Sequence, residues 1–317
     1  MASGITVVGS LNADLVVMVR RFPGTGETVT GHDFSVYPGG KGANQAFAAG
    51  RLGGGDVPVR MVGQVGQDAY GSWLKQSLGQ VGVDVTRVRL DPEAPTGLAM
   101  ITVDAAGQNQ IVVVPGANGT FNPGALPASQ QAIAGAAVLL LQLEIPLPTV
   151  QTAARIGREG GAVVLLDPAP ARALPDALLR SIDYLTPNES ELSVLTGGAP
   201  QASLRRGEAV TRARQLIARG LGQVVVKMGR QGALLVTDGA EVLQPAFAVE
   251  ALDTTAAGDA FNAGFAFAVA RGMDAIGALR FAAATAAVSV SRRGAQPSMP
   301  SRAEVEALLG AGSIDGG

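Results

Sequence analysis

The sequence predicts an α/β fold, a doubly wound and mostly parallel sheet flanked by helices, and three features point to it. Short runs are apolar at every position, the longer segments between them carry helical spacing, and 317 residues suit one large α/β unit with an appendage. Strands apolar on both faces and separated by helices are what a sheet covered on both sides requires. In chain order, Ile5 to Val8 is a β-branched strand, Ala43 to Leu52 an Ala-rich helix, Val59 to Val62 a strand and Tyr70 to Leu78 a helix. Val138 to Leu141 and Val163 to Leu166 are strands on either side of the helix Val150 to Arg158. Ala209 to Arg219 is helical, Val224 to Val226 and Ala233 to Val236 are strands, and Gly258 to Ala270 is a helix. In such sheets ligands lie at the carboxyl ends of the strands, so the residues just after each strand are where chemistry is expected.

One region departs from this alternation. Thr96 to Val103, a polar turn through Gly107, and Gln110 to Val114 read as a β-hairpin with no crossover helix, and a second extended, glycine-spaced stretch runs from about Leu15 to Val36. The two segments either pair in a small sheet beside the core, as a lid or a dimer surface, or add edge strands to the main sheet. Gly310 to Gly317 reads as a frayed tail.

Composition narrows the chemistry. The chain is 47% hydrophobic and 16% charged with a net charge of −2, so it folds as a globular protein and has no overall positive field for nucleic acid or anionic lipid. Cysteine is absent and His32 is the single histidine, which excludes disulfides, thiolate nucleophiles and clustered His or Cys metal sites. Catalysis must use carboxylates, amines, hydroxyls and backbone. The N-terminus lacks the basic start and apolar stretch of a signal peptide, and no apolar run is long enough to span a membrane, so a cytoplasmic location is expected.

Two nucleotide motifs fail. Gly39-Gly-Lys-Gly-Ala-Asn44 puts glycine, not Ser or Thr, after the lysine of a would-be P-loop, and Gly9-Ser-Leu-Asn12 lacks the later glycines of a dinucleotide fingerprint. The strongest segment is Asp253-Thr-Thr-Ala-Ala-Gly-Asp259, where an extended stretch gives way to small residues and a helix beginning near Ala256. With no side chain larger than methyl at Ala256, Ala257 and Gly258, an anion can approach free backbone N–H groups and the positive helix end. Asp259 falls in or just after the first turn, where the dipole favours its ionised form. It is expected to be a weak base, sufficient to orient a hydroxyl in phosphoryl transfer, or else a residue that merely complements the helix N-terminus.

Lysine stands only at 41, 75 and 227, against 21 arginines, so Lys41 is either a chosen point charge or an ordinary surface lysine such as Lys75. Asn12 and Asp14 add hydrogen-bonding groups past the first strand, or are turn-formers; an ionised Asp suits paired sugar hydroxyls. Thr186 is expected to cap a helix, with Pro187 at its first position and Glu189 closing a capping box, leaving Asn188 and Glu191 on one face for a phosphate and a hydrated Mg²⁺. Glu144 ends the strand 139–144 as a site acid or a solvated loop carboxylate. Ser289 to Ser298 is a helix end rich in carbonyls and hydroxyls that either coordinates a hard cation or only stops the helix.

Taken together, Gly39 to Ala46, Asn188-Glu-Ser-Glu191, Asp253 to Asp259 and Gly294-Ala-Gln-Pro-Ser298 resemble the signatures of the ribokinase branch of the PfkB-type carbohydrate kinases, and the similarity runs from Gly9 to the helix after Pro300. The resemblance implies a ribokinase-like α/β domain over 1–317 with a β lid from about 13–38 and 94–120. It implies ATP-dependent phosphorylation of D-ribose at its 5-hydroxyl, or, as the nearest alternatives, of another sugar such as fructose or of a nucleoside. A non-catalytic sugar-binding protein on the same fold is a third possibility, but it should have lost the base or the anion hole, and both segments are intact.

Carried over residue by residue, Asp259 is the base and Ala256, Ala257 and Gly258 the anion hole. Asn12, Asp14, Gly40, Lys41, Asn44 and Glu144 hold the sugar. Asn188, Lys227, Gly229 and Gly232, with Gly258, match the nucleotide site, and Glu191 is the Mg²⁺-linked acid. Asp253, Thr255, Ser289, Arg292, Gly294 and Ser298 match a K⁺ site formed chiefly by backbone carbonyls. A homodimer through the lid sheets is also implied. The chain departs from the pattern at Lys227, where relatives often have Thr, and at Ala283, where some have His or Asn near the adenine.

Overall fold

A computed structural model describes residues 3–311, and these contain thirteen strands. They are β1 (Ile5–Val8), β2 (Asn12–Met18), β3 (Asp33–Gly39), β4 (Val59–Gly66), β5 (Val83–Asp91), β6 (Gly97–Val103), β7 (Asn109–Val114), β8 (Val138–Leu141), β9 (Val163–Leu166), β10 (Tyr184–Leu185), β11 (Gln223–Lys227), β12 (Ala233–Val236) and β13 (Glu241–Gln244). Nine form one sheet in the order β13-β12-β11-β10-β9-β8-β1-β4-β5, parallel except for the antiparallel hairpins that add β12 and β13 at one edge. From β1 the chain first builds outward through β4 and β5, then returns to place β8 on the other side of β1. The strand order therefore reverses between β1 and β8, and a crevice opens at their carboxyl ends.

Helices cover both faces, so successive strand residues are apolar in both directions. Ile5 and Val7 pack with the helices Lys41–Gly53, Ala257–Ala270 and Ala275–Val290, while Val8 packs with the opposite layer built from Leu147–Glu159 and Arg206–Ile217. The helix Ala257–Ala270 is apolar almost all round because it lies between the sheet and its neighbour Ala275–Val290.

The strands not anticipated are β5, β10 and β13. β5 is exposed at five of its nine positions and carries charge, as suits an edge strand, and β10 is only two residues long. Both extended segments that broke the α/β alternation meet in a separate four-stranded sheet, β3-β2-β6-β7, in which β2 pairs parallel to β6 and antiparallel to β3. The helix Arg302–Ala311 takes in Gly310 and Ala311, which the sequence assigns to a frayed tail; 312–317 lie outside the described residues.

Candidate active site

A cleft of about 1190 Å³ opens where the four-stranded sheet overhangs the carboxyl ends of the main sheet. Asn12, Asp14, Gly40, Lys41, Asn44, Glu144, Asn188, Glu191, Lys227, Gly229, Gly232 and Ala256 to Asp259 all line it. Each arrives by its own route. Asn12 and Asp14 lie on β2, Lys41 and Asn44 on the first turn of the helix Lys41–Gly53, Asn188 just past β10, and Lys227 at the end of β11. Glu144 does not end a strand: β8 stops at Leu141, and the acid sits in the following loop.

The helix Lys41–Gly53 meets β1 and β2 through bare backbone. Gly40 has φ 85°, and a Cβ there would lie 2.8 Å from Asn12 N; one on Gly42 would lie 2.6 Å from Ser10 N. That approach lets Lys41 N donate to Glu144 Oε2 at 3.0 Å, an oxygen that also accepts from Ser10 Oγ at 2.5 Å. Asn12 is held by Asn118, whose Nδ2 donates to Asn12 Oδ1 at 2.8 Å and to Leu11 O at 2.9 Å.

At the centre, Ala256 is the only non-glycine with positive φ among the described residues, at 55°, and it caps the helix Ala257–Ala270. Ala257 N–H donates to Thr254 O at 3.2 Å, so it is already engaged. The N–H groups of Ala256, Gly258 and Asp259 have no acceptor among the described residues, so Asp259 takes the place of Ala257 in the expected set of free donors. Asp259 is the third residue of the helix and only 4% exposed. Its Oδ2 accepts from Asn44 Nδ2 and its Oδ1 from Gln45 Nε2, both at 3.1 Å.

The expectation of a weak base is corrected. Burial pushes the Asp259 carboxyl up to about 6 despite Lys41 and the two amides, and Asp167 adds to the rise. Desolvation outweighs the helix dipole, and the group becomes a better proton acceptor than an exposed carboxylate. Asp14 is likewise raised to about 7, by burial and then by the Glu144 and Asp259 charges. Lys41 behaves oppositely: burial lowers its pKa, but Asp259, Asp167, Glu144 and Glu191 outweigh that and hold it charged. The cleft thus holds the Lys41 ammonium among several carboxylates.

The capping reading of Thr186 and Glu189 is also corrected. The helix is Glu189–Leu195 and its cap is Asn188: Asn188 Oδ1 accepts from Glu191 N at 2.8 Å and Glu191 Oε2 from Asn188 N at 2.7 Å. Asn188 and Glu191 are therefore the capping box, and only Asn188 Nδ2 and Glu191 Oε1 remain for a ligand. Glu189 turns inward to accept from Leu204 N at 2.8 Å. Beyond Gly229 and Gly232, which turn β11 into β12, Ala283, Ala286, Ala287 and Val290 form an apolar wall.

The residues expected to hold a monovalent cation form two hydrogen-bonded groups. Asp253 accepts from Thr255 N at 2.9 Å and Gly294 N at 2.8 Å, and Ser289 Oγ and Ser298 Oγ are buried 2.8 Å apart. Burial raises the Asp253 pKa, but hydrogen bonds from Thr255 and Gly294 and the charge of Arg293 leave it below the ordinary value. The Arg292 guanidinium pairs with Glu304 at 2.5 Å, so this residue can offer a cation only its backbone.

Three residues of the site escaped the sequence reading: Gln45, Asp167 and Asn118. Asp167 directly follows β9, at the strand end where the fold class says to look.

A family model described as pfkB family carbohydrate kinase matches residues 2–302. The chain belongs to that family. The ribokinase of Haemophilus influenzae is 40% identical over 311 residues, 98% of this chain and 99% of that one. The ribokinase of Bacillus subtilis is 43% identical over 306 residues, 96% of this chain and 99% of the relative. The structure of Arabidopsis thaliana ribokinase complexed with ribose and ATP matches with a TM-score of 0.90 at 38% identity, covering 98% of this chain and 99% of that one.

Proposed function

We propose that this family member transfers the γ-phosphoryl group of ATP to the 5-hydroxyl of D-ribose, giving D-ribose 5-phosphate and ADP. One observation carries the reading: a helix tip with three unpartnered N–H groups ends on a buried carboxylate whose pKa is raised to about 6. Relatives named ribokinase along the whole length support ribose as the acceptor.

In this reading Asn12, Asp14, Gly40, Lys41, Asn44 and Glu144 hold the sugar, and Asn188, Lys227, Gly229 and Gly232 face the nucleotide with the apolar wall at Ala283 taking the base. Asp259 accepts the proton of the 5-hydroxyl while the hydroxyl oxygen attacks the γ-phosphorus. The bond from that phosphorus to the β–γ bridging oxygen breaks, and ADP leaves with the electron pair. The N–H groups of Ala256, Gly258 and Asp259 meet the charge on the transferred group, each such donor being worth about 3 kcal/mol.

No cluster of three His, Cys, Asp or Glu fit for a metal occurs among the described residues. A Mg²⁺ would therefore be held by phosphate oxygens and water, with Glu191 as the nearby acid, and when bound it neutralises charge on the phosphates. The oxygen-rich pocket of Asp253, Thr255, Ser289, Gly294 and Ser298, with the Arg292 backbone, suits K⁺ as an activator, and its charge complements Asp253. The lid is the β3-β2-β6-β7 sheet, and its outer face pairs with a second copy. Cysteine-free composition fits work in the cytoplasm.

A coupled assay of ADP release with and without ribose, in sodium and then potassium buffer, tests the reading. Ribose-dependent release, faster in potassium, is expected; turnover of fructose or a nucleoside without turnover of ribose overturns the substrate assignment.

A further inference from the structure

Lys227 is one of only three lysines in the chain, and it is tied to the buried acid Asp167 that the reaction scheme above leaves unused. Its Nζ donates to Asp167 Oδ1 at 3.0 Å, with the lysine side chain 15% exposed and the acid 1%. The same ammonium lies against the helix tip, since a Cβ on Gly258 would come within 3.3 Å of Lys227 Nζ. Asp167 is its only hydrogen-bond partner among the described residues, so two of its three donors are uncommitted.

On its other oxygen Asp167 accepts from Gln45 Nε2 at 3.1 Å, and that same amide nitrogen donates to Asp259 Oδ1. Gln142 Nε2 in turn donates to Gln45 Oε1 at 2.6 Å, which fixes the amide's orientation. Lys227 and Asp259 therefore stand at the two ends of one buried polar chain.

We propose that Lys227 is a catalytic cation for the phosphoryl group, and that Asp167 is the positioning residue that keeps its ammonium at the helix tip and, through Gln45, holds the base. The inference rests on the kinase reading of the site. A lone ammonium in so closed a place is costly without a counter-ion, so Asp167 compensates its charge and keeps it localised while the nucleotide is absent. An arriving phosphoryl group then takes the free donors without displacing the acid, and no side chain has to reorganise as charge shifts toward the leaving oxygen. Asp167 also raises the Asp259 pKa, along with burial and against Lys41; Asp14 is the other acid facing Asp259.

The test is a set of variants assayed for kcat, for KM and for ribose binding by calorimetry. Lys227→Met is expected to lower kcat about 100-fold while the ribose dissociation constant stays within about twofold, and Lys227→Arg to recover part of the loss. Asp167→Asn is expected to lower kcat about tenfold and to move the acid limb of the kcat profile to lower pH, because the negative charge beside Asp259 is gone. In the double variant the loss should be smaller than the product of the two single losses, because the part of the Asp167 effect that runs through Lys227 is already gone. A Lys227→Met protein with kcat within twofold of the parent overturns the proposal, as do losses that simply multiply in the double variant. If Asp167→Asn does not fold, the Lys227→Met and Lys227→Arg pair decides alone. If the parent phosphorylates a sugar other than ribose, the ribose assignment fails, but the same variants assayed on that sugar still decide the role of Lys227.

Discussion

Asn44 Nδ2 donates to Asp259 Oδ2 at 3.1 Å, joining two helix first turns that lie 215 positions apart in the chain. The Asn44 amide cannot flip without loss, because its Oδ1 accepts from Gln296 Nε2 at 3.3 Å, and Gln296 is itself held by Ser77 Oγ at 3.2 Å. The carboxylate is thus aimed from one side by Asn44 and from the other by Gln45, and neither oxygen is free to rotate away from the cleft. A base that is positioned before the sugar arrives needs little further ordering in the transition state.

Replacing Asp259 by Asn removes the proton acceptor and keeps the shape. The expected result is a fall in kcat of about 10² to 10⁴ with ribose affinity changed by less than about threefold, read by steady-state kinetics beside calorimetric titration. Full turnover in this variant would remove Asp259 from the mechanism. Asn44→Ala should act more mildly, lowering kcat about tenfold and raising the pH of the acid limb, since its hydrogen bond lowers the Asp259 pKa.

The pH dependence has two signs that can be measured separately. Activity needs Asp259 ionised, so kcat/KM should fall as pH drops through about 6. Stability of the ligand-free protein should run the other way in the same range. Asp259 at about 6 and Asp14 at about 7 both lie above their ordinary value of 3.8, so they favour the folded state most when protonated. Their contribution is complete below the unfolded pKa and is lost as pH rises through 6 and 7. Glu304, held near 2 by Arg292 and Ser301, has the opposite sign: its contribution is complete above about pH 4.5 and is lost as pH falls toward 2. Thermal unfolding should therefore give a higher Tm at pH 5.5 than at pH 8, and Asp14→Asn should flatten that slope; an unchanged slope would mean Asp14 is solvated.

The mouth of the site was legible in the sequence because helix tips that meet ligands must be built from small residues, and Gly39 to Asn44 and Ala256 to Gly258 stand out for that reason. The apolar runs likewise place the inner strands, because a strand covered on both faces has no polar position to hide it. Gln45, Asp167 and Asn118 are different. They are single polar residues whose partners lie 122, 214 and 107 positions away, and nothing in local spacing distinguishes them from turn residues. The raised Asp259 pKa was also out of reach, since it depends on how deeply the helix Ala257–Ala270 is packed, a property of the assembled layers.

Backbone conformation at the two helix tips makes a further prediction. Ala256 is in the left-handed region at φ 55°, which costs a non-glycine residue about 1 kcal/mol or somewhat more. Ala256→Gly should therefore stabilise the protein by about 0.5–1 kcal/mol, after the entropy of the added glycine is allowed for. At Gly40 the argument reverses, since φ is 85° and an added Cβ would meet Asn12 N at 2.8 Å and Leu11 backbone at 3.1 Å. Gly40→Ala should cost about 2 kcal/mol or more and weaken ribose binding, because Asn12 must move. Denaturant midpoints for the pair should shift in opposite directions, and a shared sign would contradict the strain assignment.

The small sheet exposes apolar side chains on both of its faces. Alternation along β6 and β7 sends Ala99, Ile101, Ile111 and Val113 to the cleft side, which leaves Met100, Val112 and Val114 on the outer face. The register of β2 and β3 places Phe34 opposite Val17 on that same outer face, and Phe34 and Val112 are 57% and 63% exposed. So much apolar surface on both sides of one thin sheet is hard to keep in water, and a second copy covering the outer face would hold the sheet over the sugar. Val112→Glu should then convert a dimer to a monomer in analytical ultracentrifugation. It should also raise the ribose KM more than it lowers kcat, because the sheet that closes the cleft loses its support while Asp259 and the helix tip stay in place. A parent protein that sediments as a monomer at all concentrations, or a Val112→Glu variant that remains dimeric, would reject the outer face as the subunit interface.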